Sequence, residues 1–151
     1  MSITRFSGPM ISGPQFYSDG TRNQNTGFAV LSQGTTLGTA LTTANFYVPP
    51  NSQIVQFNVD ALTAWNTQTS ALLSIGTDSL GTAYTGTTFD VKAQTSRINP
   101  TLTTTILTLM ANVGNTTTVA LAVAQTGTAA TVGATFVTML YVQKLGTGEV
   151  Q

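Results

Sequence analysis

Residues 53–62 read QIVQFNVDAL. Val55, Phe57, Val59 and Ala61 fall on one side of an extended backbone, and Gln56, Asn58 and Asp60 on the other. That period of two predicts a strand with one face against a core. Working upstream, Asn45 to Val48 is a strand candidate that stops at Pro49-Pro50, because proline cannot continue a central strand. Thr35 to Thr43 is rich in Thr and broken by Gly34 and Gly38, and Phe28 to Leu31 is a short apolar run before it. Downstream, Ala71 to Ile75 is a second apolar run, closed by Gly76-Thr77-Asp78. Small, polar and Gly-containing residues then predict a loop over 77–88 around Tyr84, and Phe89 to Ala93 alternates again.

After Asn99-Pro100, the run Thr101 to Asn112 carries two signals. Ile106, Leu109, Met110 and Val113 match helical spacing, whereas Thr at 101, 103, 104, 105 and 108 favours extended backbone. On propensity the run is expected to be a strand, with Gly114-Asn115 as a hairpin turn into Thr116 to Gln125. There Val119, Leu121 and Val123 share one face, with only Ala on the other. Ala134 to Lys144 is apolar on both faces, which marks a central strand or one facing a partner. About eight strands at regular spacing, without a long helix or a repeat, predict an all-β, jelly-roll-like antiparallel β-sandwich over residues 28–145. Residues 146–151 read as a polar tail.

Composition narrows function. The chain of 151 residues has no His and no Cys, and only 7% of it is charged, five basic and five acidic residues. His-based and Cys-based nucleophilic catalysis is therefore excluded, and no G-x-S-x-G elbow occurs. Asp60 and Asp90 could in principle pair as two carboxylates, but they read as solvated strand residues. Asp78 is the best oxygen donor for a metal, yet no EF-hand spacing surrounds it, so no metal site is expected. Arg5, Arg22, Lys92, Arg97 and Lys144 are scattered, which lacks the basic footprint of a nucleic-acid binder. The longest apolar run, Val119 to Ala124, is far short of the ~20 residues of a membrane helix. No enzyme activity, cofactor, small-molecule substrate, nucleic acid or membrane is expected as part of its function.

Residues 1–27 differ from the rest. Gly8-Pro9, Gly13-Pro14 and Asp19-Gly20 punctuate them, yet Ile3, Phe6, Met10, Ile11, Phe16 and Tyr17 lie between. Disordered segments rarely carry so many large apolar groups. The segment reads either as a loop-rich layer on its own domain or as an extended arm whose apolar residues dock on a neighbouring subunit. Trp65, the sole Trp, reads as a core-covering rim residue or, together with Tyr84, as an interface or glycan-stacking aromatic.

The proline-led strand from Val48-Pro49-Pro50 to Leu62, the strand ending Ser74-Ile75-Gly76-Thr77, the loop from Thr126-Gly127 to Ala134 and the closing strand Phe136 to Gln143 together resemble small virion proteins of tailed bacteriophages. The resemblance implies a decoration, or cement, protein on the capsid surface, assembled in the host cytoplasm as a homodimer or homotrimer. It implies the major capsid protein as partner, with the protein bound across its subunits. A head-fibre base or a neck or tail component stays within the same resemblance. A carbohydrate-binding β-sandwich using Trp65 and Tyr84 is the reading from another class.

Overall fold

The computed structural model describes residues 30–67, 69–92, 97–98 and 100–143. The expected arm over 1–27 and the tail over 146–151 lie outside the described residues. The chain runs β1 (Val30–Gly38), β2 (Thr43–Tyr47), β3 (Gln53–Thr63), β4 (Ser70–Gly76), β5 (Phe89–Asp90), β6 (Arg97–Ile98), α1 (Thr104–Ala111), β7 (Thr118–Thr126) and β8 (Ala134–Val142).

Two four-stranded antiparallel sheets form a sandwich, in the orders β1-β8-β3-β6 and β2-β7-β4-β5. The pairs β1·β8, β2·β7, β3·β6 and β4·β5 are those of one long hairpin whose bend lies between β4 and β5. Rolling that hairpin adds the contacts β3·β8 and β4·β7. The result is the jelly-roll order, with connections gathered at two ends. At one end, Asn66 N donates to Val132 O and Trp65 N to Val91 O. At the other, which we call the α1 end, Asn51 N donates to Gly114 O and Val113 N to Ser52 O.

The core lies between the sheets. Leu37, Val59, Leu73, Ile75, Val119, Val137 and Met139 are fully buried, contributed by strands of both sheets. β8, which its two-sided apolar sequence marks as central or facing a partner, is central in its sheet, and β7 is central in the other.

Four sequence expectations change. First, β3 carries bulges between Ile54 and Gln56 and between Ala61 and Thr63. The extra residue at 55 resets the alternation: Ile54 is 2% exposed and inside, whereas Val55 is 43% exposed and outside. Second, residues 104–111 form a helix rather than a strand. Thr103 Oγ1 caps it by accepting from Ile106 N, and Ile106 and Met110 pack on the core. Thr108 accommodates the helix by donating its hydroxyl to Thr104 O at 2.9 Å. Third, Gly114, at φ +58°, therefore ends a helix connection and does not join two strands. Fourth, Val30-Leu31 of the apolar run and Thr35 to Gly38 of the Thr-rich run belong to one strand, β1, which passes through Gly34 with Phe136 lying over it: a Cβ there would sit 2.7 Å from the ring. The short β6, which the sequence pattern did not announce, completes the eight strands.

Candidate interaction surfaces

Among the described residues, the acidic side chains do not converge. Asp60 lies on β3 of one sheet and Asp90 on β5 of the other. Asp60 accepts from Arg97 Nε at 2.7 Å and from Nη2 at 3.2 Å across the β3·β6 pair. That hydrogen-bonded guanidinium holds the Asp60 carboxyl below its ordinary pKa and raises that of Arg97. The pair is a solvated brace for the two-residue β6. Among the described residues, no three His, Cys, Asp or Glu side chains gather as a metal-binding group.

The two aromatics singled out from the sequence are inside. Trp65 is 1% exposed, its Nε1 donates to Thr135 Oγ1 at 2.9 Å, and Gly133 lies flat against its ring. Asn66 then stitches the adjoining loop, its Oδ1 accepting from both Thr131 N and Val132 N. Tyr84 is 2% exposed and tilts at 42° against Phe57, with ring centroids 5.8 Å apart. Burial pushes its phenol pKa up. Neither ring offers a free face, so the reading of Trp65 and Tyr84 as stacking or interface aromatics is corrected: both are core residues. The physical reason is that the loops carrying them fold back over the ends of the sandwich, Trp65 through Val91 and Tyr84 through the Ile75 carbonyl.

The large hydrophobic residues that the structure leaves exposed are unevenly distributed. Leu41, Leu62 and Val132 are exposed at the end opposite α1, each in or beside a connection. The α1 end carries the strand-end residues Val30, Leu31, Tyr47 and Val55, together with Leu102, Leu107 and Leu109 around the helix. Leu80 adds to it from the β4–β5 connection: it is 59% exposed and held at φ +68°, a left-handed conformation costly for a branched residue. A shallow groove beside this end is lined by Val55, Gln56, Phe57, Pro100 and Leu102. Leu107 and Leu109 flank the buried line of α1, and the outward ridge between them carries only Thr and Ala.

Apart from Asp78 near Leu80, the described residues of this surface carry no charge. From Ile98 to Gln143, and again from Asn23 to Val59, the sequence contains no Asp, Glu, Lys or Arg. Those two runs supply β1, β2, most of β3, α1, β7 and β8, so among the described residues charge is confined to the β3–β6 margin and the β4–β5 side. The exposed leucines were not among the residues singled out from the sequence. The signal was present in the two uncharged runs, but which leucines face outward depends on α1 being a helix.

No protein-family model matches the chain, and no curated protein matches it. Among solved structures it is similar to a chain of the cyanophage Pam1 capsid asymmetric unit, with a TM-score of 0.52 and 16% sequence identity. The likeness covers 95% of this chain and 100% of that one. At that identity it shows a shared fold.

Proposed function

We propose that the protein is a structural component of a bacteriophage virion that decorates the capsid and stabilises it by binding across major capsid protein subunits. The observation that carries this reading is the end-to-end likeness of its rolled eight-strand sandwich to a chain of a phage capsid asymmetric unit. The absence of His and Cys from the sequence and the separation of Asp60 and Asp90 into two sheets support an associative rather than a chemical role. The α1 end is the surface that faces the shell. It holds Leu102, Leu107 and Leu109 exposed without a charge nearby on the same helix, and β1 begins there, so the segment before it joins the fold from that side. Ile3, Phe6, Met10, Ile11, Phe16 and Tyr17 of that segment then extend the contact as an apolar arm over a neighbouring capsid subunit.

The test is co-sedimentation of the purified protein with emptied phage heads, followed by copy-number measurement. Hundreds of copies per particle are expected for a shell coat, with little dependence on salt because few charges take part. Leu107→Asp with Leu109→Asp, and separately removal of residues 1–27, should each lower occupancy at least tenfold while leaving the far-ultraviolet dichroism of the sandwich intact. A ring-like handful of copies would place the protein at the neck or tail. Full occupancy by both variants would sink the assignment of this surface.

A further inference from the structure

Among the described residues, β1 is an edge strand with an unusual lack of protection. It runs nine residues, Val30–Gly38, in unbroken register against β8, without a bulge, a proline or a charge. Natural edges are ordinarily blunted by one of those devices, because an open row of N–H and C=O groups invites another strand. The opposite edge of the same sheet is blunted: β6 has two residues and carries the Arg97–Asp60 ion pair. In the other sheet, the end of edge strand β2 is occupied. The Gln33 side chain donates to Tyr47 O and accepts from Tyr47 N at 3.1 Å, standing in for a neighbouring strand.

Which groups of β1 are open follows from its turn. Gly38 exchanges both backbone hydrogen bonds with Leu41, at 2.9 and 3.0 Å, so its N–H and C=O point away from β8. Antiparallel pairing alternates. Val30, Ser32, Gly34 and Thr36 therefore point their N–H and C=O groups the same way, to the free edge, and all four residues are exposed.

We infer that this edge pairs with the same edge of a second copy, β1 against β1 in antiparallel register about a twofold axis at Gln33. In that register Val30 faces Thr36 of the other copy and Ser32 faces Gly34, so every open group of the four residues finds a partner. The two four-stranded sheets become one of eight. The occupant is a second copy because the open edge is self-complementary in this register and has no charge to repel its own image. The inference is independent of the capsid reading, since it concerns isolated protein.

The experiment is sedimentation equilibrium of the full chain over a concentration series. A nine-residue edge buries less than the ~1,600 Å² of a standard interface, so a monomer–dimer exchange on the order of 10 μM is expected. Ser32→Pro should raise the dissociation constant at least tenfold with unchanged dichroism, because the Ser32 N–H faces the open edge and not β8. Cross-linking supplies a second readout in a chain without Cys. The Gln33→Cys variant should form a covalent dimer on mild oxidation, since residues on the twofold axis lie ~4.5 Å apart, within disulfide reach. The Ser32→Cys variant should not, its counterpart lying beyond ~7 Å. A monomer throughout the series, a species larger than a dimer, a dimer indifferent to Ser32→Pro, or cross-linking of the Ser32→Cys variant in place of the Gln33→Cys variant would each overturn the inference. If Ser32→Pro fails to fold, the two cysteine variants decide alone.

Discussion

Gly133 shows how closely single residues are fitted at the end opposite α1. A Cβ there would stand 2.5 Å from Cδ2 of Trp65, with two further ring atoms within 2.9 Å. The indole cannot retreat, because its Nε1 is tied to Thr135 and it is enclosed. Gly133→Ala should therefore destabilise the fold by about 1–3 kcal/mol through overpacking, read as a lower midpoint in chemical denaturation at unchanged slope. A midpoint equal to wild type would mean that the loop before β8 yields more easily than its hydrogen bonds to Asn66 suggest. The same enclosure explains why a lone Trp, a natural suspect for a binding surface, carries no such role. Sequence exposes its rarity but not its surroundings, which come from Val91, Gly133 and Thr135, far along the chain.

At the scale of elements, α1 is the instructive case. Five Thr residues between 101 and 108 gave the run the composition of a strand. Two local features pull the other way: Thr103 as an N-cap, and Ile106, Met110 and Val113 spaced so that one face closes the sandwich end. Propensity differences amount to a few tenths of a kcal/mol per residue, whereas burying a Met or Ile side chain is worth about 1.5–3 kcal/mol. Packing wins. Thr103→Ala should cost about 0.5–2 kcal/mol by removing the cap, again measured by denaturation. A null effect would show that the 3.4 Å cap bond contributes nothing and that burial alone holds the helix. β3 makes the same point for strands. Its alternation was legible from 57 to 61, but the bulge at 55 was not, because a bulge depends on how β8 registers against it.

For the whole molecule, charge scarcity makes a prediction about pH. The chain has no His, so no side chain titrates near neutrality at its ordinary pKa. Asp60 has a lowered pKa through Arg97. Its contribution is thus present above the unfolded value of ~3.9 and is lost as pH falls through the lowered folded value. Tyr84 has a raised pKa through burial. Its contribution is present below ~10 and is lost as pH climbs through the raised value. Both windows lie outside the neutral range, so the melting temperature should stay level from about pH 5 to pH 9, with losses beyond each end. A slope of more than about 4 °C inside that interval would reveal a titrating group these interactions do not account for.

Local alternation and composition were enough to establish the all-β class, the two-sided apolar character of β8, the loop around Tyr84 and the exclusion of His- and Cys-based chemistry. None of these needs knowledge of distant neighbours. The remaining features arose only as the chain closed on itself. Rolling one long hairpin into two sheets set β1 at an open edge, buried Trp65 and Tyr84, turned a Thr-rich run into α1 and left its leucines at the surface. The physical reason is that burial and edge exposure belong to pairings between residues about a hundred positions apart, such as β1 with β8. No short window of sequence contains both partners.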